Sequence, residues 1–313
     1  MPGLIAKELL EDLLRKRLGF NGLIITDSST MAGMVTVLPR HEAVPLTIAA
    51  GCDMFLFTKN LDEDFNFMRQ GIQDGIITLE RLNEAVGRIL ALKASLKLNQ
   101  KQKDGSIIPD NKQIKAVVGC EEHRFAAKKT AKHSITLVKE EKGVLPISQK
   151  KYPRVLLYNL EGKESSVGMG IEAGTVHKFV ELLKTHGYEV TIFESVAGWE
   201  GFVKPVSDIT DQYDLIIYVA NLATKSNQTV VRPEWAEPMG ADVPVFMHTV
   251  PTIFISLENP YHLLDVPRVK TFINTYASTD IMLESLMDKL SGRSKFNGTS
   301  PVDAFCGMWD TRL

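Results

Sequence analysis

Three cysteines in 313 residues, Cys52, Cys120 and Cys306, lie at scattered positions with no paired spacing. Such scarcity argues against a disulfide framework or a thiolate metal site. It fits a reducing compartment, and equally a secreted bacterial protein that makes no disulfides. An excess of one charge is also missing: 36 Lys and Arg against 38 Asp and Glu leave a net charge of −2. Nothing therefore points to nucleic acid or an anionic membrane as a partner. No apolar run approaches the roughly 20 residues of a membrane span. Met1-Pro2-Gly3-Leu4 lacks a basic stretch followed by an apolar one, so no signal peptide is read. A cytoplasmic location is the default, and a secreted parent protein the alternative. The seven histidines show no metal-ligand spacing, and no metal or organic cofactor is expected.

What is present is an ordinary globular composition, 44% hydrophobic and 24% charged, long enough for about two domains. Leu4, Ile5, Leu9, Leu10, Leu13, Leu14 and Leu18 recur at helical spacing, with Gly19 as a stop. Leu23 to Thr26 then reads as a short strand buried on both faces, as in a parallel sheet. A helix over 41–50 ends at Gly51, and Cys52 to Phe57 reads as a second buried strand. Helices follow over 61–74 and 78–97, the second with Thr78 as N-cap and Glu80 in its first turn. Strands alternating with helices signal a parallel α/β architecture. Residues 99–113 are polar and aperiodic, and the domain boundary is placed there.

The second domain opens with a basic helix, 121–133. Strands are expected over 134–138, 154–160, 189–193, 214–220, 252–257 and 270–276. Helices fit 174–186 and 279–291, with Gly187 and Gly292 just past their ends. Six short apolar strands among helices suggest an open sheet covered on both faces. Residues 221–251 form a long irregular stretch, and loops of that length are usually functional or disordered.

Asp27 follows Leu23-Ile24-Ile25-Thr26 where the strand stops, the place that lines the active site in a βα barrel. An ionised carboxylate there can attack an anomeric carbon or stabilise an oxocarbenium ion. The competing role is a helix N-cap. Asp53, at the start of the second strand, reads as a structural carboxylate bonded to turn amides or a cation. His123 and His133 read as solvated; His248, in the long loop before a strand, is the histidine to watch. Gly168-Met169-Gly170 lacks a full phosphate-loop fingerprint and reads as a turn. Trp199 and Trp235 could stack on a sugar ring or belong to the core.

Gly19-Phe20-Asn21-Gly22-Leu23-Ile24-Ile25-Thr26-Asp27-Ser28-Ser29-Thr30-Met31 resembles the signature of glycoside hydrolase family 3: Gly-Phe-x-Gly, aliphatics, Ser or Thr, Asp, and Met four residues on. Ala49-Ala50-Gly51-Cys52-Asp53-Met54 and the helix Leu82–Lys93 resemble the segments that follow it in the barrel. Ala131–Lys139 with Leu145-Pro146-Ile147 resembles the entry to the family's C-terminal α/β sandwich, and Asn259-Pro260-Tyr261, Leu290-Ser291-Gly292 and Ser300-Pro301-Val302 resemble its end. The flavour is closest to the bacterial β-N-acetylhexosaminidase branch.

The resemblance implies an α/β fold with an incomplete (β/α) barrel remnant over 1–98, a linker over 99–118 and a six-stranded α/β sandwich over 119–313. It implies a glycoside hydrolase in which Asp27 is the nucleophile of a retaining reaction on β-linked N-acetylglucosaminides or related β-glycosides, such as a cell-wall fragment. Ser28, Met31, Arg232 and His248 are the expected sugar-contacting residues. A complete barrel takes about 250 residues, so only its last two βα units are expected here. The histidine general acid of the hexosaminidase branch sits on an earlier loop and is not expected in this stretch. Glu234 and Glu237 are the candidates for the β-glucosidase branch's acid. Residues 1–98 are expected to pack on the second domain, pair with another chain through the open edge, or be poorly ordered. The alternative is a non-catalytic carbohydrate- or partner-binding remnant. A flavodoxin-like nucleotide module is a third reading, weakened by the lack of a phosphate loop.

Overall fold

The computed structural model describes residues 2–162, 174–195, 205–224, 230–237, 240 and 242–313. Gly168-Met169-Gly170 and Trp199 lie outside the described residues. The chain divides into two compact units, Met1–Ile114 and Lys115–Leu313. None of the described helices is long and apolar enough to cross a membrane.

The first unit is mostly helical. The leucine-rich segment winds as a 3₁₀ turn, Gly3–Ile5, and a wider π-helix, Glu8–Arg17, rather than one α-helix. Helices Arg40–Ala50, Leu61–Gln73 and Leu79–Ser95 follow. Thr78 caps the last, its hydroxyl accepting the Arg81 amide at 3.2 Å. Helices Arg40–Ala50 and Leu61–Gln73 approach closely at Gly71, where a Cβ would sit 2.4 Å from Pro45 Cβ. Ile24, Ile48, Cys52 and Ile77 form one buried cluster, and Met34, Ala43 and Val44 another.

The two expected strands of this unit are reduced to one parallel bridge, Ile25 to Met54. The expectation of burial on both faces fails at Ile25, which is 46% exposed. A barrel strand gains full ladders and two covered faces from neighbours on either side. Among the described residues each of these segments has only the other. The register is nonetheless firm: Ile24 O accepts from Asp53 N at 2.7 Å, Met54 O accepts from Thr26 N at 3.0 Å, and Thr26 Oγ1 accepts from Leu56 N at 2.9 Å.

Asp53 anchors that register. Its side chain is fully buried. Oδ2 accepts from the Ile24 amide at 3.0 Å and from Arg15; Oδ1 accepts from Arg81 at 2.5 Å and Arg88 at 3.0 Å. Burial pushes the carboxyl upward, but the Ile24 amide and the three guanidiniums outweigh it and hold Asp53 below its ordinary range.

In the second unit, strands β1 Thr136–Lys139, β2 Arg154–Glu161, β3 Glu189–Ile192, β4 Leu215–Asn221, β5 Thr252–Ser256 and β6 Thr271–Asn274 form one sheet. Its order is β1-β6-β5-β4-β2-β3, parallel except for β1. Side chains alternate between two cores. One face carries Val155, Leu157, Ile217, Val219, Ile253 and Ile255 under the helices Thr175–Thr185 and Asp280–Leu290. Gly187 (φ 87°) and Gly292 (φ 76°) end those helices in the left-handed region that glycine tolerates. The other face carries a row of rings at matched register, Tyr158, Tyr218, Phe254 and Phe272, with centroids 4.2, 6.0 and 5.2 Å apart. Irregular segments around Val250, Leu263, Val266 and Val269 supply most of its cover. The stretch 99–118 holds two short helices, Leu98–Asp104 and Asn111–Val117, where an aperiodic linker was expected.

Because the folded carboxyl of Asp53 lies below its unfolded value near 3.8, its contribution is complete above that value and is lost as pH falls through the folded one. Asp53→Asn is expected to destabilise residues 1–114 by about 3–5 kcal/mol at neutral pH, since it leaves buried arginines uncompensated. It should also flatten the acid side of the stability profile. Urea melts between pH 2 and 7 check both effects, and an unshifted midpoint would contradict them.

Candidate active site

Asp27 stands just past the Ile25–Met54 bridge, and its side chain is exposed. Oδ1 accepts from the Ser28 amide at 2.7 Å. The next helical turn, Ala32–Val35, has Met31 at its N-cap position, so Asp27 caps no helix. The carboxylate therefore faces outward at a strand's carboxyl end, within a loop whose backbone is pinned. Ser29 N donates to Phe57 O at 3.3 Å, and Ser28 Oγ donates to the same carbonyl at 3.2 Å. Phe57 itself sits at φ 52°, a conformation strained for a residue with a Cβ. Ser28 is half-buried beside Asp27; Met31, 42% exposed, lies at the start of the next turn.

In the second unit the carboxyl ends of β2, β4 and β5 open onto a crevice. One lobe, of about 540 Å³, is lined by Asn159, Glu161, Arg232, Glu234 and Trp235 among others. The adjoining lobe adds Glu258, Asn259, Tyr261 and Asp265. Arg232 pairs with Asp265 at its rim. Glu234 is exposed on this wall, whereas Glu237 is buried. His248 is exposed and lines neither lobe. Trp235 packs edge-on against Tyr218, with ring centroids 6.3 Å apart. His262, missed by sequence reasoning, is buried beneath the crevice; Ser256 Oγ lies 2.8 Å from Nδ1, and desolvation holds the imidazole below its ordinary value.

The parallel strands run β3-β2-β4-β5-β6, the flavodoxin-like order, in which ligands sit where the winding reverses, between β2 and β4. Here Glu161 fills that point. Oε1 accepts from the Thr175 amide at 3.0 Å and from Asn221 at 3.1 Å, and Oε2 from the Gly174 amide at 3.3 Å. A side-chain carboxylate thus meets the helix N-terminus that a phosphate would otherwise use.

Residues 2–92 match the family described as "Glycosyl hydrolase family 3 N terminal domain". The whole chain is 59% identical to a "Beta-N-acetylglucosaminidase/beta-glucosidase" of Cellulomonas fimi, of which it covers 55%. The solved structure titled "Beta-glucoside phosphorylase BglX" matches all of the chain with a TM-score of 0.86 at 41% identity, the chain covering 54% of it. A family 3 β-N-acetylglucosaminidase from Paenibacillus sp. str. FPU-7 shares the fold, with a TM-score of 0.69 at 22% identity over 97% of the chain and 55% of the neighbour. The chain thus shares the fold of a class of glycoside-cleaving proteins. The chain belongs to glycoside hydrolase family 3. It spans about half the length of the relatives it matches.

Glu161→Ala is expected to destabilise the second unit by about 1–2 kcal/mol, the scale of a lost helix cap. Faster amide exchange at Gly174 and Thr175 should accompany the loss. Unaltered exchange there would show that Glu161 does not cap the helix.

Proposed function

We propose that this chain carries the nucleophile of a retaining β-glycosidase, acting on β-linked N-acetylglucosaminides or related β-glucosides. The observation that carries this reading is the exposed Asp27 carboxylate at a strand's carboxyl end, inside the family motif. With Oδ1 held by the Ser28 amide, Oδ2 attacks the anomeric carbon and the glycosidic C–O bond breaks. A glycosyl ester on Asp27 results, and an acceptor then cleaves it. Ser28 and Met31 border the nucleophile and contact the sugar. Within the second unit taken by itself, Arg232 and Glu234 on the crevice wall are kept as a sugar contact and a candidate acid, and the exposed His248 as a further sugar contact. The sugar class is that named for the relatives, a β-N-acetylglucosaminidase/β-glucosidase and a β-glucoside phosphorylase.

The acceptor in the second step is water in the leading reading. Inorganic phosphate is the second, favoured by the likeness at 41% identity to a structure titled a phosphorylase. The test is release of dinitrophenolate from dinitrophenyl β-N-acetylglucosaminide and β-glucoside, a leaving group that needs no general acid. Asp27→Ala is expected to abolish release. Free sugar as the product, at a rate indifferent to phosphate, identifies water; a phosphate-dependent rate with a glycosyl phosphate product identifies phosphorolysis. Sugar binding with no turnover above the Asp27→Ala level would favour the non-catalytic remnant instead.

Self-association through the open strand edge at Ile25 belongs to the same proposal. Sedimentation should then give a species larger than the monomer, which Ile25→Lys disperses. A monomer at all concentrations would refute it.

A further inference from the structure

Asp27 has little in its own surroundings to fix its direction. Its side chain is exposed, and its one described hydrogen bond is to the adjacent amide. Yet a misplacement of about 1 Å at a reacting group can cost about 10²-fold in rate. The rigidity must come from the loop that carries it, and the loop's deepest attachment is Ser29, which is fully buried.

Ser29 Oγ donates to Asp64 Oδ2 at 3.2 Å and accepts from the Lys59 amide at 3.1 Å. The Lys59 amide is shared with the same Asp64 oxygen, at 3.2 Å. Asp64 lies in the first turn of the helix Leu61–Gln73 and is 2% exposed. Its other oxygen, Oδ1, accepts from Arg40, at the start of the helix Arg40–Ala50. Arg40 is held in turn by Glu63 at 2.7 Å and lies over the Phe67 ring at 5.7 Å. One carboxylate therefore ties together the loop after the first bridge segment, the loop after the second and two helices. The strained Phe57 carbonyl closes the same stitch from the other side.

A buried ion pair is a poor source of net stability, because desolvation offsets much of its attraction. Its value lies in fixing one geometry. We propose that Asp64, with Ser29 and Arg40, is the positioning device of Asp27: it clamps the loop 27–31 so that the carboxylate meets the anomeric carbon in line. Asp64 touches no substrate and acts through Ser29. This inference rests on Asp27 being the nucleophile.

The test uses the whole chain and 2,4-dinitrophenyl 2-deoxy-2-fluoro-β-glucoside. Asp27 attacks C1, the C–O bond breaks with its electron pair leaving on dinitrophenolate, and no proton moves. The fluorine slows cleavage of the ester, so the burst reports the first step alone. Ser29→Ala and Asp64→Asn are each expected to lower the limiting trapping rate about 10–100-fold. The inhibitor concentration giving half that rate should change less than about twofold. The double variant should be little slower than either single one, since both break the same link. Ser29→Ala removes a single hydroxyl, so it stays informative where Asp64→Asn fails to fold. Folded variants that trap at the wild-type rate would overturn the proposal.

Amide exchange reads the clamp without chemistry. In Ser29→Ala the amides of Ser28, Ser29, Thr30 and Lys59 should exchange at least about tenfold faster, while those of the helix Leu79–Ser95 keep their rates. A wild-type chain that is never labelled at Asp27 refutes the nucleophile reading. In that case the exchange result still decides the clamp, and unchanged exchange refutes it.

Discussion

The first unit depends on a single carboxylate that water cannot reach. Asp53 is bonded by three guanidiniums and one amide. Those arginines come from the π-wound helix and from the helix Leu79–Ser95. The amide is that of Ile24, so the ion cluster and the strand register are one object. Shift the register by one residue and Asp53 loses its amide while Thr26 loses its grip on Leu56. The place of Asp27, three residues beyond Ile24, follows from that lock. Asp27 sits at one end of the bridge and the Asp53 anchor at the other, as parallel strands arrange them.

The second unit solves a different problem with different means. Its central strands β4, β5 and β6 are buried at every residue, so backbone pairing and side-chain packing on both faces define it fully. The ring row across one face matches strand register to ring stacking, and Phe193 extends it at 4.3 Å from Tyr158. Burial pushes the Tyr158 hydroxyl up to about 12 and the Tyr218 hydroxyl higher still. Both rings therefore remain neutral, as a stacked core requires.

How far these features could be read from the residues alone differed between the units. The sheet strands, the two glycine stops and the Thr78 cap all follow local rules, and each lies within a few residues of its expected place. The first unit was harder. Leu23–Thr26 reads as a strand because its side chains are right for one, but a strand is completed by neighbours, and one bridge is what a single neighbour supplies. Nothing in the leucine spacing of 4–18 distinguishes a π-winding from an α-helix. The family motif singled out Asp27 and was silent on its clamp. Asp62, Glu63 and Asp64 are all acids of one helix first turn, a common pattern that marks no single residue. The overlooked signal was spacing: Asp64 lies four and eight residues before Met68 and Ile72, on the stripe that faces the core. His248 was singled out for its loop, whereas the buried histidine of that region is His262, in a short turn that looked unremarkable.

Glu161 has a wider meaning for the second unit. A doubly wound sheet offers one natural seat for a negatively charged guest, where the partial positive charge of a helix start meets the reversal of strand order. Here the chain seats its own residue. A fold of this kind commonly serves as a receptor for soluble anions. With that seat held from within by Glu161, the crevice beside it is walled by irregular loops instead of a free helix start.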